Sequence, residues 1–240
     1  MNNKDILERL VSDDDLERDC ALIDLEDLIS KGEFTRKDAI RYLELLESSD
    51  EFTRARAWQL VPRFLKSGLL TVEEVRERIQ YYLELLESDL KEMIDDETFD
   101  SVRDTAWSAL TDLIDRGVIT REDSRFFLKL LESQDADLRR RIWLDIKVFL
   151  NKGIIMPEEA RRRKRFFFEL LKCEDYFRRM VAWGSVGILI DKGVITREDS
   201  AFFLELLKSG NKNIRSNAKD VKESLIKIGV IIRDDPSGAD

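Results

Sequence analysis

The stretch TREDSRFFLKLLESQDADLRRRIWLDIKVFLNKGIIMP, residues 120–157, decides the fold. Thr120 stands where a helix N-cap belongs, with Asp123 three residues on, the spacing of a capping box. Phe126, Phe127, Leu130 and Leu131 then recur at helical spacing. After a short turn, Asp135 is a preferred N-cap type for a second helix. That helix carries Ile142, Trp143, Ile146, Phe149 and Leu150, an apolar stripe wide enough to be buried on two sides. It ends at Lys152 and Gly153, a basic last turn and a glycine suited to the left-handed cap, and Ile155 anchors the loop. The unit is two antiparallel helices joined by tight turns.

The same unit recurs along the chain. An arginine stands early in each second helix, at Arg18, Arg54, Arg103, Arg139, Arg179 and Arg215, at intervals of 36, 49, 36, 40 and 36 residues. A glycine follows each by 14 residues, at Gly32, Gly68, Gly117, Gly153, Gly193 and Gly229. Thr35 with Asp38, Thr71 with Glu74 and Thr196 with Asp199 repeat the capping pair, and Pro157 takes the first-turn position in repeat five. Asp14, Asp50, Asp175 and Asn211 repeat the second cap, while repeat three has Phe99 there. Regular self-similarity at this period specifies a solenoid, in which each unit buries its apolar face against its neighbours. The sequence predicts an all-α superhelix of six two-helix repeats, about twelve helices, at residues 4–32, 33–68, 69–117, 118–153, 154–193 and 194–229. We expect one domain over 1–233 and a flexible tail over 234–240. Lys219 and Lys222 give the last helix the polar outer face of a solenoid cap.

Three features break the period. Repeats three and five carry four extra residues at the start of the first helix, about one added turn. Repeat three carries nine more in the acidic stretch DLKEMIDDET, Asp89–Thr98, which reads as a disordered solubilising loop or as a site for a cation or a basic partner, and lacks the spacing and glycine of an EF-hand. Pro62, inside a second helix, is expected to kink it.

Composition removes several kinds of chemistry. Hydrophobic residues are 43% and charged residues 38% of the 240, with net charge -9. No apolar run reaches the length of a membrane span, and MNNKDILERL has no signal-peptide stretch, so a cytoplasmic protein is expected. Glu, Lys and Arg are abundant while Gln, Asn and Met are scarce, the bias of hyperthermophile proteins, so a thermophilic source is expected. There is no histidine, which excludes histidine triads and nearly excludes Cys/His zinc sites. Cys20 and Cys173 lie four repeats apart, beyond disulfide reach at helix spacings of about 8–10 Å. Cys173 replaces the serine of Ser12, Ser48, Ser88, Ser133 and Ser209. With no glycine-rich phosphate loop, the expectation is a non-enzyme with no catalytic, cofactor-binding or metal-binding residues.

Paired helices, an Asp-containing turn, and an arginine early in the second helix after an apolar residue make this unit resemble a HEAT repeat. The pattern reads DADLRRRIW at 135–143 and DSVRDTAW at 100–107, and the resemblance covers about residues 4–232. It implies a right-handed superhelix, and a structural role for Arg18 to Arg215 in a ladder with turn aspartates of neighbouring repeats. It also implies protein binding as the commonest use of such an array. Some HEAT-like arrays bind nucleic acid instead, and one branch comprises DNA glycosylases acting on alkylated bases.

Against that scaffold, Trp58, Trp107, Trp143 and Trp183 share one column and read as core. Residues 139–183 contain 13 Lys/Arg and 6 Asp/Glu, net +7, leaving -16 for the rest. Two basic groups stand out: Arg140 and Arg141 with Arg178, and the run Arg161, Arg162, Arg163, Lys164, Arg165. They are predicted at opposite edges, as an anion-binding region or as solvated faces paired with nearby acids. Lys147, Met180, Gly184 and Gly187 are predicted to be exposed on the concave face, with Arg63 and Glu223. Two glycines inside one helix, each costing about 1 kcal/mol against alanine, suggest close packing of repeats five and six, or close approach of a partner. The candidate partner-binding residues are therefore Arg140, Arg141, Lys147, Arg161, Arg162, Arg163, Arg165, Arg178, Met180, Gly184 and Gly187. A protein partner is expected, with nucleic acid as the alternative, no membrane, and a monomer or weak homo-oligomer.

Overall fold

Six glycines with φ between 68° and 76°, one at the end of each second helix, mark the periodicity in the backbone. They occupy the left-handed region that a side chain strains, at Gly32, Gly68, Gly117, Gly153, Gly193 and Gly229. After each cap the chain turns back on the helix it has left, as where Ile154 and Ile155 both donate to the Phe149 carbonyl. The computed structural model describes residues 3–89, 91–93, 99–227 and 229–231. The expected tail over 234–240 lies outside them.

The chain forms two compact units, Met1–Thr120 and Arg121–Asp240. The first contains α1 (Asn3–Arg9), α2 (Asp15–Lys31), α3 (Arg36–Tyr42) continued by a 3-10 turn (Leu43–Glu47), and α4 (Glu51–Lys66). After these come α5 (Val72–Arg76), α6 (Ile79–Glu87), the strands β1 (Lys91–Met93) and β2 (Phe99–Ser101), and α7 (Val102–Asp115). The second unit contains a 3-10 turn (Arg121–Asp123), α8 (Ser124–Leu130), α9 (Ala136–Asn151), α10 (Pro157–Arg161) and α11 (Lys164–Leu171). It continues with α12 (Tyr176–Gly184), α13 (Val186–Asp191), a 3-10 turn (Arg197–Asp199), α14 (Ser200–Leu207) and α15 (Lys212–Lys227). The fold is all-α and HEAT-like apart from one short hairpin. No described helix is long and apolar enough to cross a membrane.

The tryptophan column is core. Trp58, Trp107, Trp143 and Trp183 are 0–6% exposed. Each indole N–H donates to a leucine carbonyl at the end of the first helix: Leu46, Leu86, Leu131 and Leu171, at 3.1–3.4 Å. Buried indoles need such a partner, and here all four have one. The aspartate caps hold as well: Asp50 accepts from the Thr53 amide at 2.7 Å and Asp175 from Arg178 at 2.8 Å. In repeat three, Ser101 takes the role.

The arginine column is structural, but its acceptors differ from those the HEAT resemblance implies. Arg18, Arg54, Arg103, Arg139, Arg179 and Arg215 each donate to a main-chain carbonyl in their own turn. The acceptors are Ser12, Ser48, Ser88, Ser133, Cys173 and Ser209. Ion pairs to a neighbouring repeat's aspartate fall to other arginines, Arg56 to the turn residue Asp13 at 2.5 Å and Arg178 to Asp137 in the first turn of α9 at 2.8 Å. The column guanidinium lies over the C-terminal carbonyls of the first helix, which have no helical partner and attract a cation.

The added turn in repeats three and five is a separate short helix, not a longer one. α5 and α10 end before breaks at Arg78 and Arg163, both at φ -108°. Each break residue donates from its own guanidinium to the carbonyl four residues back, Glu74 at 2.8 Å and Glu159 at 3.1 Å. The second helix of repeat two runs from Glu51 to Lys66 through Pro62 without interruption. The interrupted one is in repeat five, where α12 stops at Gly184 and α13 begins at Val186. In the acidic insertion, Lys91–Met93 pairs antiparallel with Phe99–Ser101, so its stem is a β-hairpin, while 94–98 lies outside the described residues.

Candidate functional site

Charge separates the two units. Residues 1–120 hold 16 Lys/Arg against 30 Asp/Glu, net -14, and residues 121–240 hold 25 against 20, net +5. In the second unit the excess lies on the second helices: 136–151, 176–191 and 212–227 together hold 11 basic and 5 acidic residues. α9 packs against α12, and α13 against α15, so these helices form one layer.

On that layer α12 presents an unusual face. Asp175 caps the helix, and Tyr176, Phe177 and Met180 follow at 64%, 60% and 43% exposure. Gly184 and Gly187 continue the line and are exposed. Steps of four from Tyr176 through Met180 to Gly184 keep these positions on one side of α12, and Gly187 follows on α13. A Cβ on either glycine would meet nothing within 4 Å. Close packing at these two glycines, one of the two explanations for them, is therefore absent, and they face open space. The Arg179 guanidinium lies 5.8 Å from the Tyr176 ring centroid.

Cations flank this track. Lys147 is exposed on α9 and has no ion-pair partner among the described residues. Arg178 and Arg140 share Asp137, at 2.8 and 3.8 Å. Arg141 is half-buried near Asp145, whose carboxyl is pushed up by burial and pulled back by the Arg141 charge.

The run at 161–165 is largely occupied. Arg161 donates twice to the Gly193 carbonyl, at 2.9 and 2.5 Å. Arg163 pairs with Glu132 at 2.9 Å, and Lys164 with Asp199 at 2.6 Å. Arg165 lies over the Phe166 ring at 4.6 Å and is exposed, as is Arg162. Arg161 belongs to a ladder at the glycine loops that the sequence reading missed. Arg36 donates to Leu69, Arg76 to Val118 and Arg121 to Ile154, each the carbonyl just after a left-handed glycine. Of the predicted site residues, the structure brings together Arg140, Arg178, Lys147, Met180, Gly184 and Gly187 on adjoining helices. It places Arg161–Arg165 at the glycine-loop end, apart from the Arg140 and Arg178 first turns.

Tyr176 and Phe177 also escaped the sequence reading. The signal was there: the Tyr176 column holds Asp15, Glu51, Asp100, Ala136 and Lys212 elsewhere, with no aromatic residue. Among the described residues no cluster suits a metal ion.

No protein-family model and no curated protein matches the sequence. Among solved structures, the crystal structure of Cex1p aligns with 95% of this chain at TM-score 0.62 and 15% identity. This chain spans 43% of the Cex1p length. An archaeal HEAT-like repeats protein from Thermococcus onnurineus NA1 aligns with 99% of this chain and 85% of its own, at 18% identity and TM-score 0.46. The likeness to Cex1p is one of fold. The chain is an all-α array of two-helix repeats.

Proposed function

We propose that this chain is a non-enzymatic scaffold that binds a protein along α12 and α13. The observation that carries the proposal is the run of exposed Tyr176, Phe177 and Met180 continued by two bare glycines. Exposed aromatic residues anchor protein interfaces because they bury large areas at low entropy cost. Glycines beyond them let a partner backbone approach closely, which supports a helix or extended segment as the bound element. The surrounding layer is positive, so the partner is acidic. A rigid, pre-ordered surface loses little entropy on binding.

Nucleic acid is the second reading, favoured by the same positive layer. A photo-crosslinking residue placed at Met180 in cells of the source organism tests both. Protein adducts that vanish with Tyr176→Asp support the proposal. Nucleotide adducts, or adducts no more frequent than those from a probe at Lys129, overturn it. A salt-titrated shift assay with duplex DNA and structured RNA gives the matching check, since phosphate contact is strongest at low salt.

A further inference from the structure

We infer that the element seated on the α12–α13 face is helix α2 of a second copy of this chain. The inference rests on the protein-binding reading above and supplies its partner. α2 exposes Leu16 at 73% and Ile23 at 68%, with Cys20 exposed between them. Steps of four and three put all three on one stripe. In α4, the columns of Leu16 and Cys20 hold Phe52 and Arg56, both buried, and Arg56 pairs back to Asp13 of repeat one. These columns are covered in α4 and open in α2.

Charge selects between the apolar faces that could meet. α2 holds six acidic and two basic residues, and its basic residues are already paired, Lys31 with Asp27 at 2.5 Å and Arg18 with Asp15. Two α2 stripes would therefore bring acids against acids. The α12–α13 face lies in a layer of 11 basic and 5 acidic residues. Lys147, Lys212 and Lys219 are exposed there and without ion-pair partners among the described residues. Dimensions agree as well: Leu16 and Ile23 lie about 10 Å apart along α2, and Tyr176 and Gly184 about 12 Å apart along α12. Branched side chains on α2 thus meet, at matching spacing, a surface with aromatic walls and glycine notches.

Because the two faces differ, each contact takes α2 from one copy and the α12–α13 face from the other. Association then grows with concentration and weakens with salt. Sedimentation tests this, with reductant present because a Cys20 disulfide between copies would mimic association. The wild type should associate at low salt. The double variant Leu16→Glu, Ile23→Glu should be monomeric, and so should Met180→Glu, Gly184→Arg. Mixed together, these two should form a one-to-one complex that grows no further, since each retains one intact face. All four positions are exposed, so far-UV circular dichroism should match wild type and the unfolding midpoint should not fall, a check on folding. A wild type that stays monomeric at every concentration overturns the inference. So does association that survives in either variant, or a mixture that fails to pair. Failure here, with a different protein crosslinked at Met180, leaves the binding reading standing. No protein adduct at Met180 removes both.

Discussion

In repeat three, Arg76 reaches the Val118 carbonyl and Arg78 closes the break after α5. In repeat five, Arg161 reaches Gly193 and Arg163 closes the break after α10. The two repeats even tie back to the same place, Arg78 to Glu47 at 2.7 Å and Arg163 to Glu132 at 2.9 Å. They part on one face of the second helix. Repeat three exposes Asp104, Ser108 and Thr111 where repeat five exposes Met180, Gly184 and Gly187. Shared residues therefore describe how a repeat is held, and unshared exposed ones describe what it is for. Judged that way, most of the basic run at 161–165 belongs to the first kind and the α12 track to the second.

The comparison can be broken at its core first. Trp107→Ala and Trp183→Ala should each lower the unfolding free energy by about 3–5 kcal/mol, read from denaturant melts. A much smaller loss at Trp183 would mean that the interrupted helix of repeat five is loosely packed and that the two repeats are not equivalent scaffolds. Next comes the face itself. Gly184→Ala should stabilise the fold by about 0.5–1 kcal/mol, since nothing stands in the way of the new methyl group, while weakening self-association. Its mirror, Ser108→Gly, should destabilise by about 0.5 kcal/mol and leave association unchanged. If Gly184→Ala destabilises instead, the glycine is there for the fold.

The smallest effect concerns acid. Glu74 in repeat three and Glu159 in repeat five are both held below the usual carboxylate range. The Thr71 amide is the main favourable partner of Glu74, and the Arg121 guanidinium that of Glu159. A depressed folded pKa adds stability above the ordinary carboxylate value, and that stability is lost as pH falls through the folded value. Glu74→Gln and Glu159→Gln should therefore each flatten the acid limb of a stability-versus-pH curve. Each carboxylate also sits in an exposed ion pair, Glu74 with Arg36 at 2.6 Å and Glu159 with Arg121 at 2.7 Å, so added salt should shrink both effects. A salt-independent acid limb would mean that the amide hydrogen bonds alone hold the two pKa values down.

Much of the scaffold could be read from residues whose identity is forced. Only glycine suits the left-handed cap at Gly153 and its five counterparts, and only a large apolar residue fills the Trp143 site, so both columns show plainly in the sequence. The arginines showed too, but not their acceptors. A main-chain carbonyl exists at every residue, so no pattern of side chains points to Ser133 or to Gly193. For the same reason the run at 161–165 looked available when much of it was committed. The hairpin stem at 91–93 and 99–101 was hidden because pairing partners on either side of an acidic stretch leave no periodic mark. The α12 face was half visible, through Met180 and the glycines. Tyr176 departs from its column, which the periodic pattern does not register, and Phe177 shares its column with the buried Phe52, so its exposure leaves no mark in the sequence.

The six turn arginines carry one more consequence. Their acceptors are anonymous: replacing Ser133 by its counterpart Cys173 leaves the same carbonyl in the same place. A unit stitched this way needs no matched side chain opposite it, so whole repeats are interchangeable parts. Such an array can lengthen by copying a unit, or acquire a new surface on one copy, without rewriting the stitch that holds each turn.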